Sequence, residues 1–117
     1  MTSLIDPPET VPEPSLLRTQ VTLTDSQVHV ALAGEMDLHT APQLTAVVQE
    51  LVEGGQARDI VLTLEDLSFC DVRGLTALLE AHLKVRSAGG RLTLTGVRGV
   101  VLRMATVSRL NTVFDMA

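Results

Sequence analysis

The sequence predicts a single α/β domain in which a central mixed sheet of about five strands packs against three main helices. Two kinds of periodicity predict the class, because apolar residues alternate with period 2 in some segments and recur at helical spacing in the segments between them. The length of 117 residues suits one domain. With no Trp or Tyr and only two Phe, its core must be aliphatic.

The first fifteen residues are predicted to form a disordered, proline-rich arm. They hold four of the five prolines together with three acids and no base. Proline fixes φ and removes a backbone donor, so such a segment contributes little to a core. The folded domain is therefore expected over residues 16–117.

A hairpin is predicted at the start of the domain. Val21 and Leu23 alternate with threonines, and Asp25-Ser26 then marks a turn. A second alternating segment follows over residues 28–33, and Gly34 is expected to close it.

The first helix is predicted to begin at Thr40, because Thr40 to Gln43 has the capping-box pattern. Pro42 is tolerated within the first turn, where its missing donor would be unpaired. Gly54-Gly55 is expected to end the helix. Between these limits, apolar residues at helical spacing define its inner face: Leu44, Val47, Val48, Leu51 and Val52.

The remaining elements alternate in the same way. Residues 59–64 (DIVLTL) form a nearly continuous apolar run, which predicts a strand buried on both faces. An acidic loop then leads into a second helix, which begins at Val72 and ends at Gly89-Gly90. The apolar face of this helix carries Leu75, Leu78, Leu79 and His82, with Leu83 beside them. Beyond it the sequence predicts a strand over 91–96, a third helix with the stripe Val97, Val100, Val101 and Met104, and a last, edge strand over 112–116.

Composition and charge exclude several classes of protein. The net charge is −5, whereas direct nucleic-acid binding calls for a basic surface and, on single strands, aromatic side chains. The single cysteine rules out an internal disulfide and fits a reducing cytoplasm. No apolar run reaches the length of a membrane span, and the N-terminus lacks the features of a signal peptide. We therefore expect a cytoplasmic protein.

Enzymatic readings of the reactive side chains are weak. Cys70 could act as a nucleophile with His39 or His82, but its position between Phe69 and Asp71 at a strand end favours a buried structural thiol. The three histidines have no ligand-like spacing, and His82 is expected to be a hydrogen-bonded core residue. We therefore predict no catalytic residue, no metal and no cofactor.

Two aspartates at predicted strand ends have two readings each. Asp71 is expected to cap the helix that begins at Val72, by accepting backbone donors of the first turn. Asp37 is expected either to stabilise a turn or to take part in binding. The capping role of Asp71 does not exclude a role in binding, because loops at the carboxyl ends of strands are exposed where ligands and partners dock.

Three segments together resemble the STAS domain found in bacterial anti-sigma-factor antagonists. ALAGEMDLHTAPQL (31–44) is similar to the family's Gly-Glu-Leu-Asp segment and helix start. DIVLTLEDLSFCDVRGLTALLEAH (59–82) is similar to its strand, its Leu-Ser-Phe-x-Asp-Ser-x-Gly-Leu motif and its helix. GGRLTLTGVRGVVLRMATVSRLNTVFDM (89–116) resembles the later strand, helix and final strand. The resemblance covers roughly residues 17–116.

The resemblance implies a binding protein without catalytic activity. Its partner would be an anti-sigma factor that is also a serine-kinase-like ATPase, and a weak homodimer remains open. In such antagonists the kinase phosphorylates the serine after the aspartate, and the added charge blocks docking. Val72 stands at that position here and has no hydroxyl, so this switch is absent. Arg73 follows where a small residue is usual; it is either a partner for an anionic group or a solvated helix-start residue.

The resemblance also implies where the partner would bind. Two loops that follow strands lie side by side in the resembled fold, and their expected contact residues are Asp37, His39, Thr40, Asp71, Val72, Arg73 and Gly74. Two other functions remain open: a scaffold or accessory STAS subunit of a transport or signalling assembly, such as a lipid-transport ATPase complex, and a STAS domain that senses a nucleotide or lipid.

Overall fold

The computed structural model describes residues 17–56 and 58–117, apart from the side chain of Val100. Its five strands are β1 (Leu17–Leu23), β2 (Val28–Met36), β3 (Asp59–Cys70), β4 (Arg91–Thr95) and β5 (Asp115–Met116). Its helices are α1 (Ala41–Glu53), α2 (Val72–Ser87) and α3 (Gly99–Val107), followed by a short 3₁₀ turn over Leu110–Thr112. The predicted α/β class is confirmed. The predicted arm over residues 1–15 lies outside the described residues.

The strands form one sheet in the order β1-β2-β3-β4-β5. β1 and β2 pair antiparallel, as the predicted hairpin requires, and the other neighbouring pairs are parallel. β5 lies at an edge, as expected, but it has only two residues because the 3₁₀ turn takes up part of the predicted segment. The strand order follows the chain order, so position along the chain also fixes position across the sheet.

The helices cover one face of this sheet. Alternate residues of the three inner strands are buried, whereas the residues between them stay partly accessible. The predicted burial of residues 59–64 on both faces is therefore wrong, since Val61 and Thr63 remain half-buried. The buried face meets aliphatic side chains from all three helices, among them Leu44, Val48, Leu78, Val85, Val101 and Ala105.

β2 runs further than the sequence predicts, because it passes through Gly34 to Met36. β3 ends at Cys70, where the sequence places a strand end. Gly34 has φ of 107°, and the β2–β3 register shifts at Ala31/Ala33 and again at Gly34/Glu35. The glycine thus allows an irregularity within the strand instead of ending it. After the second shift Met36 pairs with Cys70, so both strands finish level with each other.

The inner face of α2 differs in part from the predicted one. Leu75, Leu78 and His82 are buried as expected, but Leu79 is half-buried and Leu83 is exposed. Ala81 and Val85 take the inner positions instead, because they continue the helical spacing set by Gly74 and Leu78. In the next helix, Val97 precedes the first helical residue.

His82 packs edge-on against Phe114 with a ring-centroid distance of 5.8 Å. Its Nδ1 atom is buried and has no hydrogen-bond partner among the described residues. The expectation of a hydrogen-bonded core histidine is therefore wrong for this atom.

His82→Leu is expected to leave the free energy of unfolding unchanged or raise it by about 1 kcal/mol, since it removes an unpaired buried polar atom. His82→Ala should instead lower it by roughly 2 kcal/mol through the cavity that it opens. Urea unfolding of the three proteins measures both changes. A loss of stability in His82→Leu as large as that in His82→Ala would mean that the ring has a polar partner.

Candidate functional site

The loops after β2 and β3 begin side by side at one end of the sheet. Met36 and Cys70 are paired in the strand register, and the Asp71 amide donates to the Met36 carbonyl at 3.2 Å. The first turn of α2 lies against the same strand ends. A Cβ at Gly74 would lie 2.7 Å from the Met36 carbonyl oxygen and 2.8 Å from Cys70 Sγ. The two segments therefore lie side by side, as the family resemblance implies.

The first loop is held by the side chain of Asp37. Its Oδ1 accepts hydrogen bonds from the backbone amides of His39 and Thr40, at 2.9 and 3.1 Å. The Thr40 hydroxyl donates to the Glu35 carbonyl at 2.7 Å and accepts from the Asp37 amide. It also lies 3.2 Å from Asp37 Oδ1. The predicted capping box is therefore wrong: the Thr40 hydroxyl bonds back into the loop and makes no side-chain cap.

Asp37 should remain ionised because of these donors. Partial desolvation acts to raise the pKa of its carboxyl, but hydrogen bonds from Thr40 and His39, with the nearby His39 ring, outweigh it and lower the pKa. The loop therefore presents a fixed negative charge beside an exposed imidazole.

The second loop is capped as the sequence predicts. Asp71 Oδ1 accepts from the Gly74 amide at 3.0 Å, and the Asp71 carbonyl accepts from the Leu75 amide at 2.9 Å. α2 starts at Val72, whose side chain is 66 % exposed. A large apolar side chain thus stands in water at the start of the helix, although nothing in the helix geometry requires it there.

The seven residues expected at the surface divide by accessibility. Thr40 and Gly74 are buried and fix the backbone. The other five are exposed or half-buried and so can meet a partner: Asp37, His39, Asp71, Val72 and Arg73.

An open groove adjoins the surface on each side. Arg73 and Leu38 line a groove of about 490 Å³ between α1 and α2. Val72 and Leu75 line a more apolar groove of about 430 Å³ between α2 and α3, together with Arg103, Met104, Val107 and Ser108. Leu38 and Val107 line these grooves but are not among the residues that the sequence predicts for the site. The helical spacing of Val107 from Met104 could have indicated that both lie on one face of α3, whereas nothing in the sequence marks Leu38.

Charge is distributed unevenly across the sheet. Residues 17–71 carry nine acids and two bases, a net −7, and residues 72–117 carry two acids and seven bases, a net +5. Because the strand order follows the chain, the β1–α1 side is acidic and the α2–α3 side is basic. The two loops lie where these two halves meet, so a partner there would contact charges of both signs.

Cys70 is buried at the base of the surface, with 1 % of its area exposed, as the structural reading predicts. Burial, and to a lesser extent the Asp71 carboxylate, raise the pKa of its thiol to about 11. The thiol is therefore protonated near neutral pH and is a poor nucleophile.

Raising the pH should destabilise the protein through this thiol. In the unfolded chain a cysteine loses its proton near pH 8.5, whereas the folded state keeps it up to about pH 11. The free energy of unfolding should thus be fully retained below about pH 8.5 and fall above it, by at most roughly 3 kcal/mol by pH 11. The sequence has no tyrosine, so few other groups titrate in this window.

Urea titrations from pH 8 to pH 11 on the wild type and Cys70→Ala measure this effect. The difference between the two proteins in the slope of the free energy of unfolding against pH gives the contribution of the thiol, because Lys84 and the terminal amine are common to both. Parallel slopes would show that the thiol titrates alike in the folded and unfolded states.

Within residues 17–56 and 58–117, no three histidine, cysteine or acidic side chains lie close enough together to hold a metal ion. Over the same part of the chain, none of the helices has the length and apolarity needed to cross a membrane.

Comparison with known proteins identifies the family. The family model for "Mlab, STAS domain" matches residues 19–116. The anti-sigma-B factor antagonist of Bacillus subtilis is 27 % identical over 101 residues, which cover 86 % of this chain and 91 % of that protein. The anti-sigma F factor antagonist of Paenibacillus polymyxa is 32 % identical over 81 residues, covering 69 % of each chain.

A solved structure supports the fold. The crystal structure of an anti-sigma factor antagonist from Mycobacterium paratuberculosis superposes with a TM-score of 0.78 at 23 % identity, over 91 % of this chain and 89 % of that one. The region that the family model matches contains β1 from Thr19 onward, the other four described strands, the three described helices and both loops. The chain belongs to the STAS-domain family.

Proposed function

We propose that this protein is an anti-sigma-factor antagonist that binds a kinase-type anti-sigma factor and so regulates sigma-factor-dependent transcription. The observation that carries the proposal is the exposed start of α2 beside the Asp37 loop, which presents an apolar side chain between fixed acidic groups. Relatives over most of the chain bear the name of antagonist. We call the proposed binding region the docking surface; it consists of Asp37, His39, Thr40, Asp71, Val72, Arg73 and Gly74.

The role is one of binding and not of catalysis. The sole thiol is buried and protonated. Both aspartates of the docking surface use a carboxylate oxygen to hold backbone amides. Such groups present a rigid surface, and a rigid surface loses little conformational entropy when a partner binds.

Binding should be constitutive with respect to the partner's kinase activity. Val72 occupies the helix-start position and has no hydroxyl to accept phosphate. The nearest exposed alternatives are engaged locally: Ser68 Oγ donates to the Gly34 carbonyl at 3.1 Å, and Thr76 Oγ1 donates to the Val72 carbonyl at 2.9 Å. Control would then act on the amount of this protein or through competing partners.

Incubation with a purified kinase-type anti-sigma factor and ATP tests the proposal. We expect a stable complex by isothermal titration calorimetry and no gain of phosphate in the intact mass. Val72→Ser is the matched variant that should gain phosphorylation, because it restores a hydroxyl at the first position of α2. Stoichiometric phosphorylation of the wild type at Ser68 or Thr76 that abolishes binding would overturn constitutive docking. Absence of a complex with anti-sigma factors from the same genome would overturn the antagonist role.

A second candidate is a scaffold or accessory subunit of a larger assembly. Val72 favours this candidate as well, since a permanently assembled subunit needs no phosphorylation switch. The matching family model is also described by the name Mlab. Co-purification from the native host distinguishes the two: a stable stoichiometric complex with transporter subunits supports the scaffold, and an anti-sigma factor supports the antagonist.

A further inference from the structure

The outer edge of β1 is an unpaired strand with an apolar side. β1 is the first strand in the sheet order, and no described residue pairs with its outer edge. Val21 and Leu23 are 43 % and 57 % exposed although they lie on the helix-covered face, opposite Val30 and Val28. The strand has no proline and only one charge, Arg18. It therefore lacks most of the features that prevent edge-to-edge pairing.

We propose that two copies of this protein associate through their β1 strands, paired antiparallel about Gln20. This register aligns the whole strand, with Leu17 opposite Leu23 of the second copy and Thr19 opposite Val21. The remaining pair sets Arg18 against Thr22. Each exposed apolar side chain of the edge is then covered, and no like charges face each other.

A second copy fits this edge better than the other edge of the same molecule does. β5 has only two residues and ends the sheet with Asp115, so it offers too little backbone to pair with seven residues. Pairing β1 with β1 is symmetric, as most soluble homo-oligomers are. A two-fold axis perpendicular to the sheet keeps the helices of both copies on one side and joins two five-stranded sheets into one.

The geometry leaves the docking surface free. Leu17 pairs with Gly34, so the start of β1 lies at the end of the sheet where the docking loops are. Antiparallel pairing about Gln20 then directs the two docking surfaces toward opposite ends of the dimer. One seven-residue strand from each copy buries less than a stable interface requires, so the dimer should be weak and concentration-dependent. This proposal is independent of the proposed function.

Single cysteines test the register in the full-length protein. Residues directly opposite in an antiparallel pair have Cα atoms about 4.5–5.5 Å apart, within disulfide reach, so Gln20→Cys should cross-link across the axis. Thr22→Cys is the matched control. It lies on the same face and is also exposed, but its two copies would be separated by roughly 13 Å. Under mild oxidation we expect Gln20→Cys to form disulfide dimers at least about tenfold faster than Thr22→Cys or the wild type.

Sedimentation velocity and hydrogen exchange test the surface. Leu23→Lys should weaken self-association at least about tenfold, and β1 amides should gain protection as protein concentration rises. Val107→Lys, an equally apolar-to-charged change at an 85 % exposed site on α3, should leave both unchanged. The proposal is overturned by equal cross-linking at residues 20 and 22, by dissociation in Val107→Lys, or by a monomer at all concentrations. It is also overturned by β1 protection that does not depend on concentration, which would mean that the chain covers its own edge.

Discussion

Val72→Asp is expected to weaken binding of the proposed anti-sigma-factor partner on the order of a hundredfold. The new carboxylate would stand beside Asp71 on the docking surface, and a buried like-charge pair at an interface costs several kcal/mol. The fold should tolerate the change, because Val72 is exposed and an acidic residue in the first turn of a helix is favourable. The loss should therefore appear in Kd and not in the free energy of unfolding.

Val72→Asn separates charge from shape, since asparagine and aspartate have nearly the same volume. We expect it to bind within about tenfold of the wild type, because it adds polarity without a charge. Calorimetric titration of the three proteins against one purified anti-sigma factor gives both comparisons. An unchanged Kd in Val72→Asp would place the docking surface elsewhere, whereas equal losses in Asp and Asn would assign the effect to lost apolar contact.

The fold was predictable because its periodicities are regular. Val28, Val30 and Leu32 alternate as a half-buried strand, and the helices show apolar stripes with recognisable ends. The full length of β2 was not predictable in the same way. Its last residues, from Gly34 to Met36, pair with β3 through register shifts, which depend on contacts between the two strands and not on either strand alone.

The places of the two loops that carry the candidate site were predictable, whereas their hydrogen bonds were not. Two strand-end aspartates and a helix start are visible in the sequence, and parallel strands bring such ends together. That Thr40 makes no side-chain cap on α1 was not visible, since Asp37 and Thr40 are both good hydrogen-bonding residues and only the loop geometry turns the Thr40 hydroxyl and the Asp37 carboxylate toward the loop backbone. The two grooves beside α2 were not predictable either, because their size and lining depend on the spacing between helices.

Gly74→Ala is expected to destabilise the protein by about 2 kcal/mol, against the local preference of the helix. Alanine in a helix is favoured over glycine by up to about 1 kcal/mol. Here the added Cβ would lie 2.7 Å from the Met36 carbonyl oxygen and 2.8 Å from Cys70 Sγ. The first of these atoms belongs to the backbone of β2 and cannot move without disturbing the sheet, and forced overpacking of this kind typically costs 1–3 kcal/mol.

Two further variants identify the cause of that loss. Gly89→Ala adds a Cβ in open space at φ of 85°, so it should cost only the roughly 1 kcal/mol of an unfavourable backbone conformation. In the Cys70→Ala background, the Cβ added by Gly74→Ala still meets the Met36 carbonyl but no longer meets a sulfur atom. Gly74→Ala should therefore lower the free energy of unfolding in that background by less than it does in the wild type, but the loss should not vanish. Urea unfolding of these variants measures each term. A stabilised Gly74→Ala would mean that α2 can move away from Met36, and the two docking loops would then not be held together by this glycine.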